Sequence, residues 1–166
     1  IVRAGTGFDT HPHRDMEIVT WVLSGRLSHR DSEGNEGELY PGLAQRMSAG
    51  TGIRHSEMNP SPDEPVHFVQ MWVLPDTEAI NPGYQQMDIN DQLGAGGLVP
   101  VASGQGHDSA ISIQPRSWPI QSCVSSSLNE PLAISRNLRD SLLVPRSFPS
   151  AIFEGTDKAA RPSWSQ

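Results

Sequence analysis

The sequence predicts an all-β fold, a small antiparallel β-barrel or jelly roll, over about its first 75 residues. Three observations lead there. Short runs rich in β-branched and aromatic residues recur through this stretch. Polar turn signals bearing glycine or proline separate them. No run keeps the apolar spacing of about 3.6 residues that marks an amphipathic helix.

Taken in order, residues 17–23 (EIVTWVL) read as a strand and are too short for a buried helix. Residues 31–37 (DSEGNEG) form a polar, glycine-punctuated hairpin turn. Leu39-Tyr40-Pro41-Gly42 ends a strand in a second tight turn, and Gly50-Thr51-Gly52 marks a third. Gly50 and Gly52 read as turn formers rather than a phosphate cradle, since no helix N-terminus follows them. Residues 66–74 (VHFVQMWVL) are the clearest remaining strand, and 75–83 read as a linker. Residues 94–104 (GAGGLVPVASG) hold a short apolar strand, and 110–113 hold another. Beyond about residue 114 the chain mixes Ser, Pro and Arg without a sustained period, and one helix over 129–143 is expected there. The expected division is a first unit over 1–83 and a second over 84–166.

Composition narrows the function classes. The 166 residues have room for one domain, or one domain and part of another. A net charge of −7 argues against a direct nucleic-acid partner, because phosphate binding needs a basic face. A single cysteine, Cys123, excludes an intramolecular disulfide framework and cysteine-based zinc clusters. It fits a reducing compartment, and a cytoplasmic location is expected. No apolar run reaches the ~18 residues of a membrane span, and no signal peptide is visible. The chain opens at Ile1, without Met, so its natural N-terminus is expected to lie upstream.

The residues that carry chemistry fall in two groups, His11-x-His13 followed by Glu17, and His55-x-Glu57. Residues two apart on a strand share a face, so each pair can point into one barrel interior. Two such pairs on facing strands bring three imidazoles and a carboxylate together. That donor set suits Fe(II), Mn(II), Ni(II), Cu(II) or Zn(II), and the lack of thiolates argues against a structural zinc site. Four protein ligands on an octahedral metal leave up to two positions for water, substrate or O₂. Parity leaves the carboxylate open, because Glu17 could face the same interior as Glu57. His29 and His67 read as structural or as neighbours of the centre, and His107 as exposed in a glycine-rich loop. Met47, Met58, Met71 and Trp72 read as core or pocket lining. Nothing marks Cys123 as a catalytic thiol.

The run GFDTHPHRDMEIVTWVLSGRLSHRDSEGNEG, from Gly7 to Gly37, resembles the first cupin motif in its pirin form. The run PGLAQRMSAGTGIRHSEMNPSPDEPVHFVQMWVLPD, from Pro41 to Asp76, resembles the pirin version of the second. The resemblance is nearly continuous over residues 1–90. It implies a cupin-type β-barrel followed by an incomplete or divergent second cupin half. It also implies His11, His13, His55 and Glu57 as ligands of one divalent metal, Fe(II) first and Mn, Ni, Cu, Co or Zn as alternatives. Glu17 then becomes a residue that orients a ligand histidine.

The same resemblance implies two uses. One is an oxidoreductase of quercetin 2,3-dioxygenase type, opening a small aromatic flavonol-like substrate with O₂, with Glu57 as catalytic base. The other is an iron-dependent redox sensor that binds a protein partner. Pirins are bicupins, and the family pattern fades here after Gln114. The chain is therefore expected to be a fragment, or a sequence whose end has diverged or shifted frame. Loss of half a bicupin would expose apolar barrel surface and invite dimerisation or aggregation.

Overall fold

The structure, a computed structural model, describes residues 1–95, 99–104, 107–108 and 110–114, and the backbone of 141–144. The strand-like runs pair into two four-stranded sheets and one three-stranded sheet. The first has the order β1 (Gly7–His13), β6 (Ile53–Met58), β3 (Leu27–Asp31), β4 (Glu36–Leu39). The second runs β7 (His67–Val73), β2 (Glu17–Ser24), β5 (Leu43–Ser48), β8 (Gly83–Asp88). Every pairing in these two sheets is antiparallel. The third sheet places β9 (Val99–Ser103) between β10 (Ile111–Ser112) and β11 (Ser141–Val144), and a short helix α1 (Asn90–Ala95) leads into it.

Strand β2 explains the layering. Its first six residues are all buried, the signature of a central strand covered on both faces. Ile18 and Val22 pack toward the first sheet, in clusters with Met47 and Ile53 and with Leu27, Leu39 and Val66. Val19 and Trp21 point the other way and join Ala44, Val99, Val101 and Ile111 under the third sheet. The core therefore lies in two layers, one on each side of β2 and β5. Full burial of a side chain such as Leu27 contributes about 1.5–3 kcal/mol.

Polar residues shape the turns. Asp31 Oδ1 accepts hydrogen bonds from the backbone N–H groups of Glu33 (3.0 Å) and Asn35 (2.9 Å), fixing the β3–β4 hairpin. The Leu43 N–H reaches the Tyr40 carbonyl at 3.0 Å, closing the turn read at Tyr40-Pro41-Gly42. Gly50 adopts φ +47°, where a Cβ would run into the Ile80 carbonyl oxygen, so this turn requires glycine.

Three features differ from the sequence reading. Strand β8 lies beyond the expected linker, yet pairs with β5 from Leu43↔Asp88 to Ser48↔Gly83 and completes the second sheet. Helix α1 was not expected; Asp88 Oδ1 accepts from the Asn90 N–H at 2.9 Å and so caps its start. The helix expected over 129–143 lies mostly outside the described residues, but its last residues are in β11, which pairs with β9. The Ser-Leu-Leu-Val tetrapeptide is short and apolar, a pattern that periodicity alone cannot assign to helix or strand. Cys123 also lies outside the described residues. Among the described residues, no helix is long and apolar enough to cross a membrane.

Candidate metal centre

Strand β6 is the backbone of the centre. Its burial alternates, with Ile53, His55 and Glu57 inside and Arg54 and Met58 outside. Antiparallel pairing sets His55 opposite His11 of β1 on one side and opposite Asp31 of β3 on the other. Glu57 is likewise flanked by Phe8 and His29. An irregularity between Phe8 and His11 lets both His11 and His13 keep the inward face.

The donor atoms of His11, His13 and His55 lie within 4.8 Å of one another. Their ring centroids are 4.4 Å (His11–His55), 4.9 Å (His11–His13) and 5.0 Å (His13–His55) apart. Glu57 falls in a second group with the same spacing, made of His29, His55 and Glu57. Four of the five donors were expected from the sequence; His29 was read only as a structural or neighbouring residue. Its local signal is the pattern His29-x-Asp31 on β3, which puts a carboxylate on the same face.

Protonation favours donor chemistry. Burial, followed by the neighbouring imidazoles, drives the His55 pKa down to about 3, so its ring is neutral. Burial and then the charge of His11 lower His13. Burial also lowers His29, against the opposing pull of Asp31. Burial raises Glu57, while the Gln70 hydrogen bond and His11 act in the other direction. Gln70 Nε2 donates to Glu57 Oε1 at 2.8 Å and to Thr20 Oγ1 at 3.3 Å, and Gln70 Oε1 accepts from Trp72 Nε1 at 3.3 Å. His11 Nδ1 is 2.7 Å from the Asp9 carbonyl, which leaves Nε2 as its donor atom.

The fit to a metal rests on the nitrogens themselves. Both ring nitrogens of His55, Nε2 of His13 and Nδ1 of His29 are buried without a hydrogen-bond partner. Such atoms are costly unless something binds them. A divalent cation is the partner that suits convergent neutral imidazoles beside a carboxylate.

Glu17 is not part of this cluster. Asp15 takes a left-handed φ of +48° between β1 and β2, held by its backbone bond to the Gly50 carbonyl (2.9 Å) and by its carboxylate on the Ala79 N–H (2.6 Å). That turn breaks the parity count from His13. Glu17 sits opposite Ser48, on the face of β2 that carries Val19 and Trp21, with Arg46 3.9 Å from its carboxylate. Burial raises its pKa, with Ser48 and Arg46 acting against that. It therefore does not orient a ligand histidine.

The remaining expectations divide. His67 is partly buried at the start of β7, opposite Ser24, and His107 is exposed as read. Met47 is core, and Met71 packs against the cluster under the third sheet. Met58 and Trp72 are not core, at 36% and 56% exposed. Trp72 lies edge-on to His13 at 5.3 Å, and Phe8, 49% exposed, lies 6.5 Å from the His11 ring. Two exposed aromatics thus flank the solvent side of the histidine cluster. A surface cleft of about 370 Å³, lined by residues including Arg14, Ser32, Thr51 and Arg54, meets the centre only at His13.

Two facing antiparallel sheets with histidines and a glutamate gathered between them define a cupin-type fold with a candidate divalent-metal centre. The Pirin family model matches residues 1–73, a little under half of the chain. A Mycobacterium tuberculosis protein provisionally named a quercetin 2,3-dioxygenase is 66% identical over 109 residues, covering 65% of this chain and 45% of its own length. Escherichia coli quercetin 2,3-dioxygenase is 54% identical over 86 residues, 52% of this chain and 37% of that protein. Among solved structures, YhhW from Escherichia coli is similar with a TM-score of 0.62 at 44% identity, covering 68% of this chain and 47% of that one. The same bacterial pirin in complex with nickel(II) gives a TM-score of 0.61 at 42% identity, over 69% of this chain and 48% of that one. The chain thus spans less than half the length of these relatives.

Proposed function

We propose that His11, His13, His55 and Glu57 hold one divalent metal, Fe(II) by preference, and that the centre serves an O₂-dependent dioxygenase acting on quercetin-like flavonols. The observation that carries this reading is the set of buried imidazole nitrogens without partners, gathered beside a carboxylate and flanked by two exposed aromatic rings. The names of the Escherichia coli and Mycobacterium tuberculosis relatives support it. A metal held by these residues would supply Lewis-acid chemistry, and redox chemistry where the ion is redox-active, toward a phenolic substrate. Mn, Ni, Cu, Co and Zn are alternatives with the same donor preference.

The protein's own part is positioning and proton handling. Gln70 Nε2 donates to Glu57 Oε1 and so fixes the carboxylate, which would serve both as metal ligand and as acceptor of the substrate's acidic hydroxyl proton. Burial raises the pKa of Glu57 in the metal-free protein, and a bound cation would act against that shift. Trp72 and Phe8 offer ring faces and edges to a planar aromatic substrate. The neutral ring of His55 keeps one nitrogen lone pair available at ordinary pH.

The test is aerobic incubation of metal-loaded protein with quercetin, following loss of the flavonol absorbance and release of carbon monoxide. Turnover that disappears in Glu57→Gln and His55→Ala is expected. No turnover with Fe, Mn, Ni, Cu or Co in protein that binds the metal would refute the dioxygenase reading.

A further inference from the structure

His29 has the features of a metal donor rather than of a core histidine. It is 1% exposed on the inner face of β3, directly opposite Glu57. Its Nε2 lies 3.3 Å from Asp31 Oδ2, and Asp31 is fixed by Asn35, whose side-chain amide reaches both carboxylate oxygens at 3.0 and 3.2 Å. A histidine that gives its far N–H to a carboxylate is the usual arrangement of a metal ligand, because it fixes the tautomer and the ring plane. From the opposite sheet the Tyr84 ring lies over His29, with centroids 5.2 Å apart and planes inclined by 33°. What remains is Nδ1, buried, without a partner, and within 4.8 Å of the donor atoms of His55 and Glu57.

We propose that the centre contains a second, inner donor set, His29–His55–Glu57, which can hold a divalent cation without His11 and His13. The inference rests on the reading of this chamber as a metal centre, and adds a position to it. The inner set is two histidines and one carboxylate, the donor composition that binds Fe(II) with open positions in non-haem oxygenases and that also suits Zn(II). All three inner residues are buried, whereas His11 and His13 of the outer set are partly exposed on the edge strand β1. His55 belongs to both sets and has both nitrogens without partners, so the sets share one cation and exchange it rather than fill together.

The experiment uses Zn(II) as probe on the whole chain. His11→Ala/His13→Ala removes the outer donors at partly exposed positions of an edge strand. This double variant is expected to keep one Zn(II) per chain after desalting, at lower affinity than the parent, and to lose it when Glu57→Gln is added. In the folded double variant, the ¹⁵N resonance of His29 Nδ1 is expected to shift on Zn(II) addition, a readout that leaves His29 itself intact. Loss of all Zn(II) from the double variant while the parent retains it would overturn the inner set and leave the four-ligand reading standing. An unmoved His29 Nδ1 resonance in a Zn(II)-loaded double variant would overturn it equally. A parent that binds no Zn(II), Fe(II) or Ni(II) would instead sink the metal-centre reading itself.

Discussion

Gln70→Leu isolates the way the second sheet controls the candidate ligand Glu57. Gln70 projects from β7 opposite Thr20 and joins Trp72, Thr20 and Glu57 through hydrogen bonds of 3.3, 3.3 and 2.8 Å. Leucine has nearly the same volume, so the change removes polarity more than packing. The shortest of the three bonds ends on a carboxylate, and a hydrogen bond to a charged group contributes about 1.5–3 kcal/mol. Losing it destabilises the ionised form of Glu57 and raises its pKa further, the direction burial already drives it. Protons then compete better with a metal for this carboxylate. Removal of such an orienting partner typically weakens metal binding by about 10–100-fold, equivalent to roughly 1.4–2.7 kcal/mol, in agreement with the hydrogen-bond figure.

The assay is competition for Ni(II) against a chromophoric chelator across neutral and mildly acidic pH. The expected result is weaker binding by Gln70→Leu, with the deficit growing as pH falls. Trp72 is 56% exposed, so its indole N–H can turn to water after the change. Thr20 is 1% exposed and loses a donor, so some fold stability goes with it. Making the comparison in a Thr20→Val background removes that contribution from the stability measurement. Unchanged Ni(II) affinity in folded Gln70→Leu, at every pH, would refute the argument that Gln70 tunes the carboxylate.

Other expectations can be checked directly. Glu17→Gln leaves bound metal unchanged and Glu57→Gln lowers it, measured by elemental analysis after desalting; the reverse order would show the carboxylate assignment to be wrong. Gly50→Ala lowers the melting temperature through a loss of about 1–3 kcal/mol, since φ is +47° and the new Cβ meets the Ile80 carbonyl; an unchanged melt would mean this turn rearranges freely. The metal-free protein loses stability as pH falls from 6.5 toward about 3. His55 has a folded pKa below its unfolded value, so the unfolded chain binds more protons in that window and the His55 contribution is fully present only above it. Glu57, raised above 4.5, opposes this by favouring the folded state as pH falls. Urea melts of the chelator-treated protein across this range test the sum, and stability that rises toward pH 3 would contradict the dominance of His55.

How far the centre could be read in the sequence depends on the distance over which each relation acts. His11-x-His13 and His55-x-Glu57 are local pairs, and a strand period of two places each on one face without knowledge of any neighbour. Residues 17–23 were legible as a strand from their β-branched and aromatic content, whereas the burial of residues 17–22 on both faces depends on the layers packed against β2. Parity failed at Glu17, because the left-handed backbone at Asp15 intervenes and depends on contacts with Gly50 and Ala79, which lie 35 and 64 residues further on. His29, read as a structural residue or a neighbour of the centre, lies within reach of it. Its place beside Glu57 follows from the pairing of β3 with β6, which no local pattern encodes, and its ring is held by Tyr84 from the other sheet. His29-x-Asp31 was nevertheless visible as a histidine with a carboxylate on its own face. In a buried β-sandwich such a pair is a donor held in one orientation, and it marks His29 as a residue whose free nitrogen needs a partner. The candidate centre therefore draws on five potential donors from three adjacent strands, β1, β6 and β3, and His55 on the middle strand is the residue its two groups share.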